Sequence, residues 1–196
     1  MRMLQLCRSQ PEAALKRAYS GWMLRTDRLV LRQWTDADRA PFAAMCADAE
    51  VMRFFPTTLT EEQADAFVDR ASLHIAQYGW GLWVVEREGV FLGFTGLAVP
   101  GFAADFLPGV EIGWRLARHA WGHGYATEAA RAALAYAFDV LALDEVLSFT
   151  TVANTRSRAV MERLGMVHVS DFDHPKIEPR HPQRPHVLYR IARPVA

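Results

Sequence analysis

Cysteine is scarce: Cys7 and Cys46 are the whole supply in 196 residues. Two thiols cannot build a disulfide framework and are too few for a cysteine-built zinc site, so the expected setting is reducing and cytoplasmic, with no metal. No uninterrupted apolar run reaches the roughly 18 residues of a membrane helix. The opening MRMLQLC has a basic residue but no apolar segment of the length a secretory signal needs. Net charge is missing as well. Lysine plus arginine (22) balance aspartate plus glutamate (22), which argues against a generic nucleic-acid coat and a polybasic membrane binder. What the chain does have is apolar bulk. Hydrophobic residues make up 51% and charged ones 22%, a composition that supports a packed core over wholesale disorder. The length suits one domain, since roughly 100–200 residues is usual.

Residues 1–22 hold Arg2, Arg8, Lys16 and Arg17 against Glu12 alone and read as a solvated N-terminal extension. An amphipathic targeting segment fits the same composition, and a natural start at Met23 is a third reading. From there to Ala196 the patterning is that of one domain. Leu24–Trp34 alternates as a strand, with Leu29, Leu31 and Gln33 opposite Val30, Arg32 and Trp34. Thr35 opens a helix to about Ala47, and the Thr60–Gln63 capping box opens another to about Tyr78, ended by Gly79. Strands follow at Leu82–Glu86, Val90–Leu97 and Val110–Leu116, the first two joined by Arg87-Glu88-Gly89. In the third, Val110, Ile112, Trp114 and Leu116 share one face and Glu111, Gly113 and Arg115 the other.

A helical stripe of Ala126, Ala130, Ala133, Leu134, Ala137 and Phe138 begins after Gly124. Val146–Val152 reads as a strand. Asn154 caps a helix with Val160, Met161 and Leu164 inward, and Gly165 ends it. Met166–Phe172 and Val187–Ile191 close the chain as strands around a loop with Pro175, Pro179, Pro182 and Pro185. The implied order is βααβββαβαββ, an α/β or α+β mixed sheet flanked by helices.

The sharpest local feature is Leu116-Ala117-Arg118-His119-Ala120-Trp121-Gly122-His123-Gly124-Tyr125-Ala126, between a strand and a helix. Two glycines permit close backbone approach, and the N–H groups and positive end of the helix favour an anion. Arg115 and Arg118, with His119 or His123, add positive charge, so a di- or polyphosphate fits. A phosphate loop of the Walker type is excluded because Gly124-Tyr125-Ala126 lacks the Lys-Ser/Thr ending. A dinucleotide fingerprint fails too, because Asp144 precedes the following strand instead of ending it. Many such turns bind nothing.

Glu111-Ile112-Gly113-Trp114 followed by Trp121-Gly122-His123-Gly124-Tyr125-Ala126-Thr127-Glu128-Ala129 resembles the acyl-CoA motif of the GNAT superfamily of N-acetyltransferases. Asn154-x-x-Ser157-x-x-Val160, ending in Leu164-Gly165-Met166, resembles that superfamily's next motif. The opening Leu24-Arg25-Thr26-x-Arg28-Leu29-x-Leu31-Arg32 is similar to the branch of ribosomal-protein N-terminal acetyltransferases. The resemblance spans roughly residues 24–191, with the motifs in the family's order.

It implies a mostly antiparallel GNAT sheet, acetyl-CoA as donor and a primary amine as acceptor, a protein N-terminus or a small molecule, with direct transfer through a tetrahedral intermediate. The backbone around Trp121, Gly122, His123, Gly124, Tyr125 and Ala126 would hold the pyrophosphate, flanked by Arg118 and His119. The strand end at Leu116 would pair with the pantetheine arm and help polarise the thioester. Asn154 would contact that arm and Ser157 the CoA body, although each also suits a plain helix start. The chain departs from the family at two places. His119 stands where glutamine or arginine is usual, and Met161 stands where many relatives carry a tyrosine that protonates the leaving thiolate. Those departures motivate the rival reading, a catalytically silent CoA-binding or structural GNAT-like protein.

Glu111 is the first candidate for the base that deprotonates the amine, against a surface or salt-bridged carboxylate. His168, His174, His181 and His186 are rivals around the proline-rich loop, each also readable as a solvated histidine. Trp80, Trp83, Phe91 and Phe94 read as core. Phe54, Phe55 and Pro56 read either as a staple onto Ala64 or as part of the acceptor site. Homodimerisation is compatible with the fold.

Overall fold

The computed structural model describes residues 23–194; the expected N-terminal extension, residues 1–22, lies outside them. The described chain enters through two short strands, β1 (Leu24–Arg25) and β2 (Val30–Arg32), where the sequence alternation predicts one. The Thr26 N–H donates to the Leu29 carbonyl at 3.0 Å, and the segment folds back so that Leu24 pairs with Leu31. Alternation cannot separate one strand from two when both arrangements bury Leu29 and Leu31.

A single 3₁₀ turn over Asp36–Asp38, capped by Thr35, leads into α1 (Arg39–Ala47). The Thr60–Gln63 box starts α2 (Glu61–Tyr78), and Gly79, at φ +82°, stops it. β3 (Leu82–Arg87) and β4 (Val90–Ala98) form a hairpin through Glu88-Gly89, both at positive φ, as a twisted two-residue loop requires. Next come β5 (Glu111–Leu116), α3 (Tyr125–Ala135) and a π-turn over Tyr136–Val140. The chain closes with β6 (Glu145–Thr151), α4 (Thr155–Arg163), β7 (Val167–Asp173) and β8 (Pro185–Ala192). The sequence-derived boundaries of these elements hold to within a residue or two, although in α3 Ala126 is only half-buried while Tyr125 and Ala129 are buried.

The eight strands lie in the order β1-β2-β3-β4-β5-β6-β8-β7, antiparallel except between β5 and β6. α1 and α2 cover one face, where Phe94 of β4 packs 6.0 Å from Phe42 and 5.1 Å from Phe67 between ring centroids. α3 and α4 cover the other, where Trp83 of β3 meets Tyr136 at 5.4 Å. Alternate residues of a strand face opposite layers, so the two faces of β5 are committed to different chemistry. Trp80, Trp83 and Phe94 are buried, as read from sequence. No described helix is long and apolar enough to cross a membrane.

Candidate functional site

The one parallel junction of the sheet is also its weakest. β5 and β6 share a single ladder pair, Glu111 with Leu147. The Leu147 N–H donates to Val110 at 2.9 Å and the Ser148 hydroxyl to the Ile112 carbonyl at 2.8 Å. Beyond that no pairing joins the two strands. The remainder of β5, from Gly113 to Leu116, is bonded to β4 on one side only and leaves a slot toward β6.

β5 delivers the chain into the glycine loop at the mouth of this slot. The indole N–H of Trp121 donates to the Leu116 carbonyl at 2.8 Å, tying loop to strand end. Gly122 and Gly124 then take φ of +80° and +78°, conformations that cost other residues about 1–2 kcal/mol. A Cβ added at Gly122 would meet nothing within 4 Å. From Gly122 through Thr127 no backbone N–H finds a protein acceptor among the described residues, the first helical bond being Glu128 N–H to the Gly124 carbonyl at 3.1 Å. Helix N-termini leave such donors open, and their aligned dipoles favour an anion. The loop therefore fits the pyrophosphate expected there.

The flanking side chains are arranged differently from the simple charge count. Arg118 pairs with Asp48 at 3.7 Å. His123 stacks on Tyr125, centroids 5.3 Å apart, and His119 lies exposed in a short 3₁₀ turn. Arg115, read from sequence as positive charge for this loop, is not there. It projects to the opposite face of β5, because strand neighbours alternate. Three arginines that the local motif did not reveal take its place. Arg28 lies 4.8 Å from the Tyr125 ring centroid, Arg87 contacts the Tyr125 hydroxyl, and Arg156 lies 4.8 Å over Trp121. No spacing rule links Arg28 to Tyr125; only the sheet order brings them together.

At the far wall Asn154 caps α4. Its Oδ1 accepts from Ser157 N–H at 3.2 Å and its Nδ2 donates to Thr150 Oγ1 at 3.0 Å, so one amide hydrogen stays uncommitted. The Ser157 hydroxyl has no protein partner among the described residues. Met161 is 1% exposed and belongs to the core, away from any proton-transfer role.

The opposite face of β5 carries Glu111, Gly113 and Arg115, as the alternation predicts. Glu111 has no ion-pair or hydrogen-bond partner among the described residues, and burial pushes its carboxyl up to about 8. That geometry differs from a salt-bridged surface carboxylate and suits a general base. Ala98, its cross-strand partner, also lines a cavity of about 350 Å³ with Phe67, Arg70 and His74 of α2.

Two of the histidine rivals, His174 and His186, cluster further along the same face. His174 and His186 lie 5.0 Å apart within a group of rings from Phe102, Phe106, Phe149 and Phe172. Burial first, then the neighbouring His186, Lys176 and Arg184, push His174 down to about 4; burial lowers His186 also. One ring nitrogen of each, Nδ1, is already used locally. His174 Nδ1 accepts from Lys176 N–H at 3.3 Å and His186 Nδ1 donates to the Arg184 carbonyl at 2.9 Å. His168 binds Asp171 at 2.7 Å, and His181 Nδ1 accepts from Gln183 N–H at 3.1 Å. Phe55 does not stand idle in its loop: it lies under the Arg115 guanidinium, 4.1 Å from ring centroid to Cζ.

Comparison with known proteins agrees with this architecture. A family profile described as an acetyltransferase (GNAT) domain matches residues 28–167. The chain is 34% identical over 144 residues to the uncharacterized protein YkkB of Bacillus subtilis, covering 72% of this chain and 83% of that one. It is 38% identical over 135 residues to the FsC-acetyl coenzyme A-N(2)-transacetylase of Aspergillus fumigatus, covering 64% of this chain and 56% of that protein. A GNAT-family acetyltransferase structure from Bacillus anthracis superposes with a TM-score of 0.72 at 24% identity, over 87% of this chain and 98% of that one, a likeness of fold. Splayed strands, open amide loop and family profile converge, and the chain belongs to the GNAT family of N-acetyltransferases.

Proposed function

We propose that this protein transfers the acetyl group of acetyl-CoA directly to a primary amine, of a protein N-terminus or a small molecule, with Glu111 as general base. The observation that carries the reading is the construction of β5. One end bears an unpaired, half-buried carboxyl raised to about 8, and the other runs into a loop whose N–H groups from Gly122 to Thr127 lack protein acceptors. The name of the Aspergillus relative, an acetyl coenzyme A-N(2)-transacetylase, supports transfer to nitrogen.

The donor's pyrophosphate is assigned to the backbone of Trp121, Gly122, His123, Gly124, Tyr125 and Ala126, with Arg118 and His119 beside it. Its pantetheine arm is assigned to the slot edge ending at Leu116, whose carbonyl keeps one lone pair after bonding Trp121. Asn154 and Ser157 are assigned to the opposite wall through the spare amide hydrogen and the hydroxyl. Glu111 takes a proton from the ammonium form of the acceptor. The nitrogen lone pair then forms the N–C bond to the thioester carbon, the C–S bond breaks with its electrons leaving on sulfur, and the second N–H proton leaves the new amide nitrogen for the departing thiolate. A free thiol of this kind has a pKa of about 8.5, so the thiolate departs near neutral pH without a dedicated acid. Met161, buried in the core, is thereby accommodated.

Calorimetric titration with acetyl-CoA tests the donor assignment, with a Gly122→Glu/Gly124→Glu double variant of verified fold as control. Saturable binding to wild type, lost in the control, is expected, together with thiol release when amines are added. Binding without thiol release across a broad amine panel would favour the silent CoA-binding reading. No binding at all would overturn the proposal.

A further inference from the structure

Arg115 is a cation without an anion. Its Nη1 contacts the Cys46 thiol at 3.3 Å, while its Nε is sealed from solvent with no hydrogen-bond partner. Among the described residues no carboxylate pairs with it; Cys46 is the one group that favours its charge, and burial opposes that charge. Arginine cannot shed its proton inside a protein, so a chain that buries it must gain elsewhere. The rings of Phe55, at 4.1 Å, and Phe94, at 5.5 Å, supply cation–π contacts, which are worth less than a carboxylate partner. Phe55 is 39% exposed, so the guanidinium lies beside the surface and not deep within the core.

The ground between Glu111 and Arg115 is open. Gly113 stands between them on the same strand face, and a Cβ added there would meet only Glu111 Oε1, at 3.9 Å. Base, bare floor and unpaired cation follow one another at alternate positions of β5.

We propose that this floor receives an acceptor whose amine is joined to an anionic group, a carboxylate or a phosphate, with the amine toward Glu111 and the anion on Arg115. The inference rests on the acetyltransferase reading and narrows it to amines that carry negative charge. The planar fork of arginine binds either anion through two parallel hydrogen bonds. Phe55 then acts as the wall that keeps water from the pair.

The test uses acceptors in matched couples differing only in the anion: an amino acid and its carboxamide, a long ω-amino carboxylate and the corresponding alkylamine, phosphoethanolamine and ethanolamine. Short and long couples are included because the Glu111 and Arg115 Cα atoms are about 13 Å apart along an extended strand. Wild type should favour the anionic member of at least one couple by roughly 100-fold in kcat/KM. Whether the preference lies with the carboxylate or the phosphate couples identifies the anion. In Arg115→Gln that ratio should collapse to within about tenfold, and Arg115→Lys, which keeps the charge but loses the fork, should fall between. If Arg115→Gln fails to fold, Phe55→Ala should lower the same ratio. Equal use of neutral and anionic amines by wild type would overturn the inference while leaving the acetyltransferase reading intact. So would a loss of acetyl-CoA affinity in the Arg115 variants as large as the loss of turnover, which would place the guanidinium on the donor. Absence of acetyl-CoA binding in wild type would instead defeat the reading on which the inference rests.

Discussion

Arg28 Nε donates to Glu128 Oε2 at 2.7 Å, fastening the β1–β2 turn to the first turn of α3 across a hundred residues of chain. The other Glu128 oxygen accepts from the Thr26 hydroxyl at 2.6 Å and the Arg28 N–H at 3.0 Å. Burial works against the carboxylate's charge, yet the hydrogen bonds from Thr26 and Arg28 prevail and hold it below the ordinary glutamate range. An acid in the first helical turn also suits the helix dipole. The glycine loop is thus anchored from behind by the same residue that brings Arg28 over Tyr125.

Replacing Glu128 by alanine strips three donors of their acceptor. Because Arg28 is 45% exposed, its share is discounted, and the expected loss is about 1–2 kcal/mol. At this chain length that is a fall in Tm of roughly 2–8 °C. The carboxylate's contribution is present above its unfolded pKa and lost as pH falls through the depressed folded value. The gap between wild type and variant should therefore narrow in acid. Thermal melts at neutral and acidic pH check both statements, and an acetyl-CoA titration should show weaker binding because the loop has lost its anchor.

Glu111 makes the opposite pH prediction. Its folded carboxyl, at about 8 against a reference of 4.5, keeps a proton that the unfolded chain releases, so wild-type stability falls as pH rises through that window. Glu111→Gln removes the slope, and its urea midpoint should gain on wild type between pH 5 and 8. Catalysis moves the other way. kcat/KM for the acceptor should climb with pH toward about 8 and level off there, whichever amine is supplied. In Glu111→Gln the rate should drop about 10²–10⁴-fold and that limb should vanish. A limb that shifts with the pKa of the amine and survives the substitution would assign it to the substrate.

The buried histidine pair predicts acid sensitivity. His174, held down to about 4 by burial and by its cationic neighbours, stays neutral in the folded protein where the unfolded chain takes up a proton near 6.5. The stability of the neutral form is intact above that value and is lost as pH falls from about 6.5 toward 4. His174→Phe keeps a ring among Phe102, Phe149 and Phe172 and should flatten that fall. Denaturant midpoints across the window decide it; identical slopes in wild type and variant would show that His174 does not carry the effect.

The sequence revealed what local chemistry writes. The Thr60–Gln63 box, the Gly79 stop, the inward and outward faces of β5 and the glycine loop are each set by residues a few positions apart, and each stands in the structure. Relations set by topology were not legible. The turn at Thr26 divides a segment whose alternation reads as one strand. Nearness in sequence groups Arg115 with the phosphate loop, yet the pleat sends it to the Phe55 side. The arginines around Tyr125 and Trp121 come from β1–β2, β3 and α4, and no window of sequence contains them together. What makes Glu111 a candidate base is its lack of a partner and its raised carboxyl, neither of which a strand pattern encodes.

The glycine loop allows conformation and charge to be separated. Gly122 is at φ +80° with nothing within 4 Å of an added Cβ, so Gly122→Ala costs the left-handed penalty of about 1–2 kcal/mol and creates no clash. If open backbone donors hold the phosphates, alanine should weaken acetyl-CoA binding by no more than about tenfold, because the N–H groups remain. Gly122→Glu pays the same conformational cost and adds a carboxylate where an anion must sit, so its binding should be lost although its melting temperature matches that of Gly122→Ala. Equal affinities for acetyl-CoA in the two variants would mean that the loop does not face the phosphates. Calorimetry on both, with melts as the control for folding, gives the answer without needing to know the acceptor.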